Sequence, residues 1–335
     1  MFRLRCAFPV LLAALIFVSS ANAQEKVNVE KVDVEKVELR LRLEKGQTFD
    51  QVIAMEQKQM FGEITSPRKD DATFAICHYG LHNEVMDSDS NGVIKIKTTY
   101  SYVTVEITMN GEKFLSYDSR KPPKVLPESA VEVAALVGQS LTQTVSAKGE
   151  ILKIEGGEAI VARIIKAMKI PAAQSATLSG LMNKVFKEQT SQRSGFVNFP
   201  ENPLAIGDAW KVTSTQSAVL PLTIATRYKM LSRKSGFATL GVNSRITANH
   251  DKALLLLGNI IAISMSGTQT GVFSIDETNG LVREAELHQE VKGTITAPSR
   301  RSIISKKKDQ INSMPVEMKA TIRMWTIAPP RATAP

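Results

Sequence analysis

Residues 100–119 read YSYVTVEITMNGEKFLSYDS. Val103, Val105, Ile107 and Met109 stand at every second position, with Thr104, Glu106 and Thr108 between them. Successive side chains of a strand point to opposite faces, so this pattern predicts a strand with one dry and one wet face. Asn110-Gly111 follows, the pair that supplies positive φ at both central residues of a type I′ turn. Glu112 to Tyr117 then returns as the partner strand. A hairpin with one apolar face needs a core on that side and water on the other, as antiparallel sheets provide.

The alternation extends in both directions. Upstream, Val37, Leu39, Leu41 and Leu43 predict a half-buried strand, followed by strands over 48–57 and 93–97. Downstream, strands are expected over 209–217, 222–232, 237–249, 252–257, 260–266, 268–275, 281–295 and 315–327, with turns at Ser235-Gly236 and Asn279-Gly280. The middle differs. Pro122, Pro123 and Pro127 interrupt the β pattern, a short helix is expected over 128–138, and 141–154 reads as a hairpin around Lys148-Gly149. Ile160, Val161, Ile164, Ile165 and Met168 then form a helical stripe, stopped by Pro171. Leu178, Leu181, Met182, Val185 and Phe186 form a second. The expected class is mainly β with α (α+β): a large curved antiparallel sheet or incomplete barrel, with a central helical hairpin packed on its apolar face.

The first residues carry the three parts of an export signal. Arg3 and Arg5 are its basic start, Phe8 to Val18 its apolar run, and Ala21-Asn22-Ala23 its cleavage site. The run is well short of the ~20 residues that cross a bilayer, so no transmembrane segment is expected after cleavage. The expected division is a signal peptide over 1–23, a charged flexible leader over 24–36, one β-rich domain over 37–328 with a helical insert over 128–190, and a disordered tail over 329–335. The leader contains a five-residue repeat, EKVNV then EKVDV, whose period fits neither strand nor helix. The expected location is periplasmic or extracellular.

Cleavage would remove Cys6 and leave Cys77 as the one cysteine, so no internal disulfide is expected. A chain of roughly 300 residues buries about three quarters of its unfolded surface and needs no staple. The full sequence carries a formal charge of +9, two less without Arg3 and Arg5. Its dense basic cluster, Arg300, Arg301 and Lys306 to Lys308, reads as a solvated loop, and no nucleic-acid partner is expected.

Candidate chemistry is sparse. Cys77, His78 and His82 are metal-capable types: on a helix His78 and His82 would share a face and could bind zinc, but Thr73 to Tyr79 is β-prone, and in a strand the two histidines stand ~13 Å apart and cannot share an ion. Asp87-Ser88-Asp89-Ser90-Asn91-Gly92 matches the first half of a calcium loop, which makes Asp87, Asp89 and Asn91 weak metal candidates. Thr98 stands where that loop needs its bidentate acid, and the same residues suit a hairpin turn. Glu284 and Glu286 alternate with Ala285 and Leu287 and read as a solvated face. The G-x-S-x-G, H-E-x-x-H, P-loop and dinucleotide motifs do not occur, so neither catalysis nor a cofactor is expected.

Four stretches carry a resemblance: Leu41 to Gln47, Asn110 to Ser119, Pro203 to Trp210, and Asp276 to Val282. Together with the export signal they resemble a family of exported bacterial β-rich proteins of unknown function, over most of the mature chain. That family implies no catalytic residues. In its order of strands, helices and strands the chain is also similar to periplasmic lipoprotein carriers, whose curved sheet has a helical lid. The expected function is that of a non-enzymatic cell-envelope protein holding a lipid or other apolar ligand in a half-barrel cavity. Ile164, Met168, Met182, Phe186, Trp210, Met318 and Met324 are its candidate lining. The alternative is a structural or interaction module of the envelope with a filled core.

Overall fold

The computed structural model describes residues 35–61, 72–170, 172–192, 195–216, 222–248, 254–256, 259–298 and 311–327. The expected signal peptide, most of the expected leader, the basic residues 300–308 and the expected tail lie outside them.

The described residues form one antiparallel sheet of thirteen strands. In chain order these are β1 (Thr48–Phe61), β2 (Ala72–Ser88), β3 (Ile94–Met109), β4 (Glu112–Asp118), β5 (Ser140–Val145), β6 (Ile151–Glu155), β7 (Ala209–Gln216), β8 (Leu222–Lys234), β9 (Phe237–Ala248), β10 (Leu254–Leu256), β11 (Asn259–Asp276), β12 (Val282–Pro298) and β13 (Ile311–Ile327). Their order across the sheet is β6-β5-β3-β2-β1-β13-β12-β11-β9-β8-β7, with β4 on β3 and β10 on β11. The predicted β3–β4 hairpin is present, with Asn110 at φ 53° and Gly111 at φ 80°. The helices are α1 (Val131–Ala134), α2 (Gly157–Ala167) and α3 (Ala172–Gln192).

Alternation became burial throughout. On β3, Val103, Val105 and Ile107 are at most 2% exposed, and on β13 Val316, Met318, Ala320, Ile322 and Met324 are all buried. The other face is charged at mid-strand. Arg323 donates to Glu286 at 2.8 Å and to Glu56 at 3.0 Å, and Lys319 lies 3.0 Å from Glu290.

The sheet is curled until its two ends nearly meet. Laid flat, β5 and β7 would be nine strand spacings apart, roughly 43 Å. Yet the Phe199 N–H donates to the Lys148 carbonyl in the β5–β6 turn (2.8 Å), while the Trp210 indole N–H of β7 donates to the neighbouring Asn198 carbonyl (2.8 Å). β11 and β12 approach each other closely. A Cβ on Gly267 would stand 2.2 Å from the Glu290 carbonyl oxygen, and one on Gly271 2.0 Å from that of Glu286. Only residues without side chains allow the two backbones this approach.

One expected strand is corrected. Val37 to Leu43 is not part of the sheet; apart from a bridge between Val37 and Leu204 it is extended but unladdered. Leu39, Leu41 and Leu43 are still buried, because the segment lies inside the curl. It bonds the β5–β6 turn through Leu41 and the β11–β12 turn through Arg42. Residues 195–208 run beside it and bury Phe196, Val197, Phe199 and Leu204. Both segments close the end of the half barrel at which β1 begins and β13 ends. Two further boundaries differ: 93–97 and 100–109 are one strand, as are 260–266 and 268–275. β2 is a long strand through the β-prone stretch at Cys77 that the alternation alone did not mark out.

Candidate functional site

The inner face of the curl carries the main buried core, and the cross-strand register orders it into layers. Nearest the closed end is a buried polar network. Asn83 donates to Gln51 (3.2 Å), Thr98 to Asn83 (2.8 Å), Gln51 to Thr326 (3.4 Å) and Thr326 to the Val282 carbonyl (2.6 Å). Next come two apolar rows. One runs Ile53, Met324, Ala285, Phe273, Leu240, Met230; the other runs Met55, Ile322, Leu287, Gly271, Val242, Tyr228, Trp210. Beyond them lies a polar belt: Gln57, Ala320, Gln289, Gln269, Ser244, Thr226.

The layers differ in satisfaction. Thr226 and Ser244 bond each other at 2.9 Å. By contrast Gln57 Nε2, Gln289 Nε2 and both side-chain polar atoms of Gln269 are buried without a hydrogen-bond partner. The adjoining row adds Gln59 Oε1 and Ser214 Oγ. Such groups are uncommon in native interiors and each costs ~1–3 kcal/mol. Among the described residues the buried polar side chains are all uncharged: Gln, Asn, Ser and Thr.

The seven lining candidates fall into two groups. Trp210 and Met324 lie in the main core. The Trp210 ring stacks on Tyr228 with centroids 5.0 Å apart, and Tyr228 meets Phe273 at 6.4 Å. Burial pushes the Tyr228 phenol well above its ordinary range. Met318 is buried on β13, opposite Gln59. Ile164, Met168, Met182 and Phe186 belong to a separate cluster with Leu141, Ala135 and Ile160. Tyr100 and Leu136 pack against both clusters. The helical hairpin therefore sits on the apolar face at its β3–β5 end. The amides of the belt were missed in the sequence, where they appear only as gaps in the alternation.

The metal-capable residues are dispersed. Cys77 is buried on the inner face, while His82 points outward and lies 2.7 Å from Asp50. Asp89 Oδ1 accepts the backbone N–H groups of Asn91 and Val93, both at 2.9 Å, in the β2–β3 turn. Asp87 faces Lys45 at 3.9 Å, and Thr98 is committed to the inner network. Among the described residues no three His, Cys, Asp or Glu side chains gather as a metal site. Glu132 on α1 has its carboxyl raised by burial, with no charged group contributing. No helix among them is long and apolar enough to cross a membrane.

No curated protein matches the chain. Among solved structures it is similar to lipovitellin, described for its lipid–protein interactions, with a TM-score of 0.44 and 8% identity over 88% of this chain and 27% of that one. It thus spans about a quarter of that chain. It is also similar to the COG4313 outer membrane channel from Pseudomonas putida F1 (TM-score 0.23, 8% identity, 90% of this chain and 100% of that one). A third likeness is to the outer membrane protein OprG from Pseudomonas aeruginosa (TM-score 0.20, 6% identity, 86% of this chain and 100% of that one). At these scores no argument about function rests on the likenesses. Residues 91–282, from the β2–β3 turn to the start of β12, match the family of unknown function DUF6263, and since they are more than half of the sequence the chain belongs to that family.

Proposed function

We propose that this is an exported, non-enzymatic protein of the cell envelope that holds a neutral, largely apolar ligand against the inner face of its half barrel. The observation that carries the reading is the chemistry of that face. Its buried polar groups are amides and hydroxyls, and its broad rows are aliphatic and aromatic. An ion moved there would lose its hydration with no countercharge, whereas a neutral acyl chain loses nothing and gains contact. Export is supported by the basic, apolar and small-residue sequence of the first 23 residues. The test is native mass spectrometry of the protein purified from its own envelope. A co-purified neutral lipid is the expected result. A bare mass, together with failure to bind neutral acyl probes, would overturn the reading.

A second reading, a structural or interaction module with a filled core, is favoured by one specific feature. The segments 37–43 and 196–204 already occupy the closed end of the curl with Leu39, Leu41, Phe196 and Phe199. Under that reading the apolar rows serve only as core, and no neutral acyl probe changes the melting temperature.

A further inference from the structure

The layering of the inner face is asymmetric in a way that stability alone does not explain. Two sets of buried amides stand about two rows apart. In the first, Gln51 and Asn83 are bonded to each other and onward to Thr98 and Thr326. In the second, Gln57, Gln289 and Gln269 keep unpartnered amide atoms, although Gln269 and Gln289 are directly opposed on neighbouring strands. All three are at most 5% exposed, so they are shielded from bulk water. The other side chains around them are small or apolar. Ala320 lies between Gln57 and Gln289 in the row and presents only a methyl group. Gly267 and Gly271 flank Gln269 at two residues on either side, and Val291 and Leu287 of β12 pack over them, so Gln269 meets no polar side chain along its own face of β11.

We propose that this belt is a binding site for the uncharged polar group of a neutral acyl lipid, with ester carbonyls and hydroxyls meeting the amides while the chain lies along the two apolar rows. The inference deepens the binding reading above and rests on it. An amide offers both donor and acceptor, which matches a group that carries a carbonyl and a hydroxyl together. The described part of the belt has no Arg, Lys, Asp or Glu among its members, so a phosphate or carboxylate head would be left uncompensated. A guest that hydrogen-bonds an otherwise orphaned amide gains more than one entering an all-apolar site, because the penalty is already present in the empty protein.

The test compares two probes of equal chain length on the purified full chain: monoolein, which has an ester and two hydroxyls, and the hydrocarbon octadecene, which has neither. Affinities are read by displacement of a fluorescent apolar dye. The parent is expected to bind monoolein at least tenfold more tightly than octadecene. Gln269→Met with Gln289→Met is expected to remove that preference, while octadecene affinity stays within twofold. If the double variant does not fold, Gln289→Met alone is read with the same probes and is expected to shrink the preference. A parent that binds both probes equally overturns the belt inference, its amides then being a structural cost, and leaves the carrier reading standing. So does a variant that keeps the full preference. A parent that binds neither probe overturns both.

Discussion

Single residues set the tolerances of this fold, and two allow the structure to be tested sharply. Gly280, in the β11–β12 turn, has φ +76°, and a Cβ there would stand 2.1 Å from the Arg40 carbonyl oxygen. Both the conformation and the contact exclude a side chain. Gly280→Ala is expected to cost about 2 kcal/mol or more, measured by denaturant unfolding, because the inner segment can no longer seat against the turn. Tyr228 gives a pH signature. Its phenol is raised by burial above the ordinary 10.0, so the folded state resists its ionisation. Its contribution is complete below pH 10 and is lost as pH rises beyond that, since the unfolded chain then ionises and the folded one does not. The melting temperature should therefore drop above pH 10, and Tyr228→Phe should reduce that drop. An unchanged alkaline profile in the variant would show that Tyr228 is not the group responsible.

At the scale of elements, the helices are the part whose role the sequence pattern stated most directly. Ile160, Val161, Ile164 and Ile165 of α2 are all buried, and Ile164 packs with Leu141 of β5. Ile164→Asp places a charge in that contact with no partner and should cost about 3 kcal/mol or more, read as a fall in melting temperature. A variant that melts with the parent would mean the stripe faces no core. Strand ends were less legible, and buried amides explain why. The sequence reading stopped β1 at Gln57 although the strand runs to Phe61, because Gln57 and Gln59 stand at inward positions where apolar residues were expected. β3 was split at Thr98, which points inward to Asn83. β11 was split at Gly267, which leaves the inward alternation without a side chain at that position.

For the whole molecule, curvature is the property on which the candidate site depends. The close backbone approach between β11 and β12 tests it: Gly271→Val, with a Cβ 2.0 Å from the Glu286 carbonyl, should push the two strands apart. The expected outcome is loss of cooperative unfolding, or a destabilisation of several kcal/mol, of the size overpacking and backbone strain produce together. Native-like unfolding of this variant would show that the sheet does not need this close approach.

By itself the sequence determined the one-sided sheet, the β3–β4 hairpin and the helical middle, because burial of alternate or helically spaced side chains is written directly into residue order. It could not separate a strand in the ladder from an extended segment inside it. Leu39, Leu41 and Leu43 alternate just as ladder residues do, since alternation records which side chains are dry and not what the backbone pairs with. Only the tertiary structure decided that the ends of the sheet curl toward each other across residues 198–199, and that Gln57, Gln269 and Gln289 share one buried row. Those residues are far apart in the chain, and cross-strand register between distant segments is set by the packing of the whole sheet.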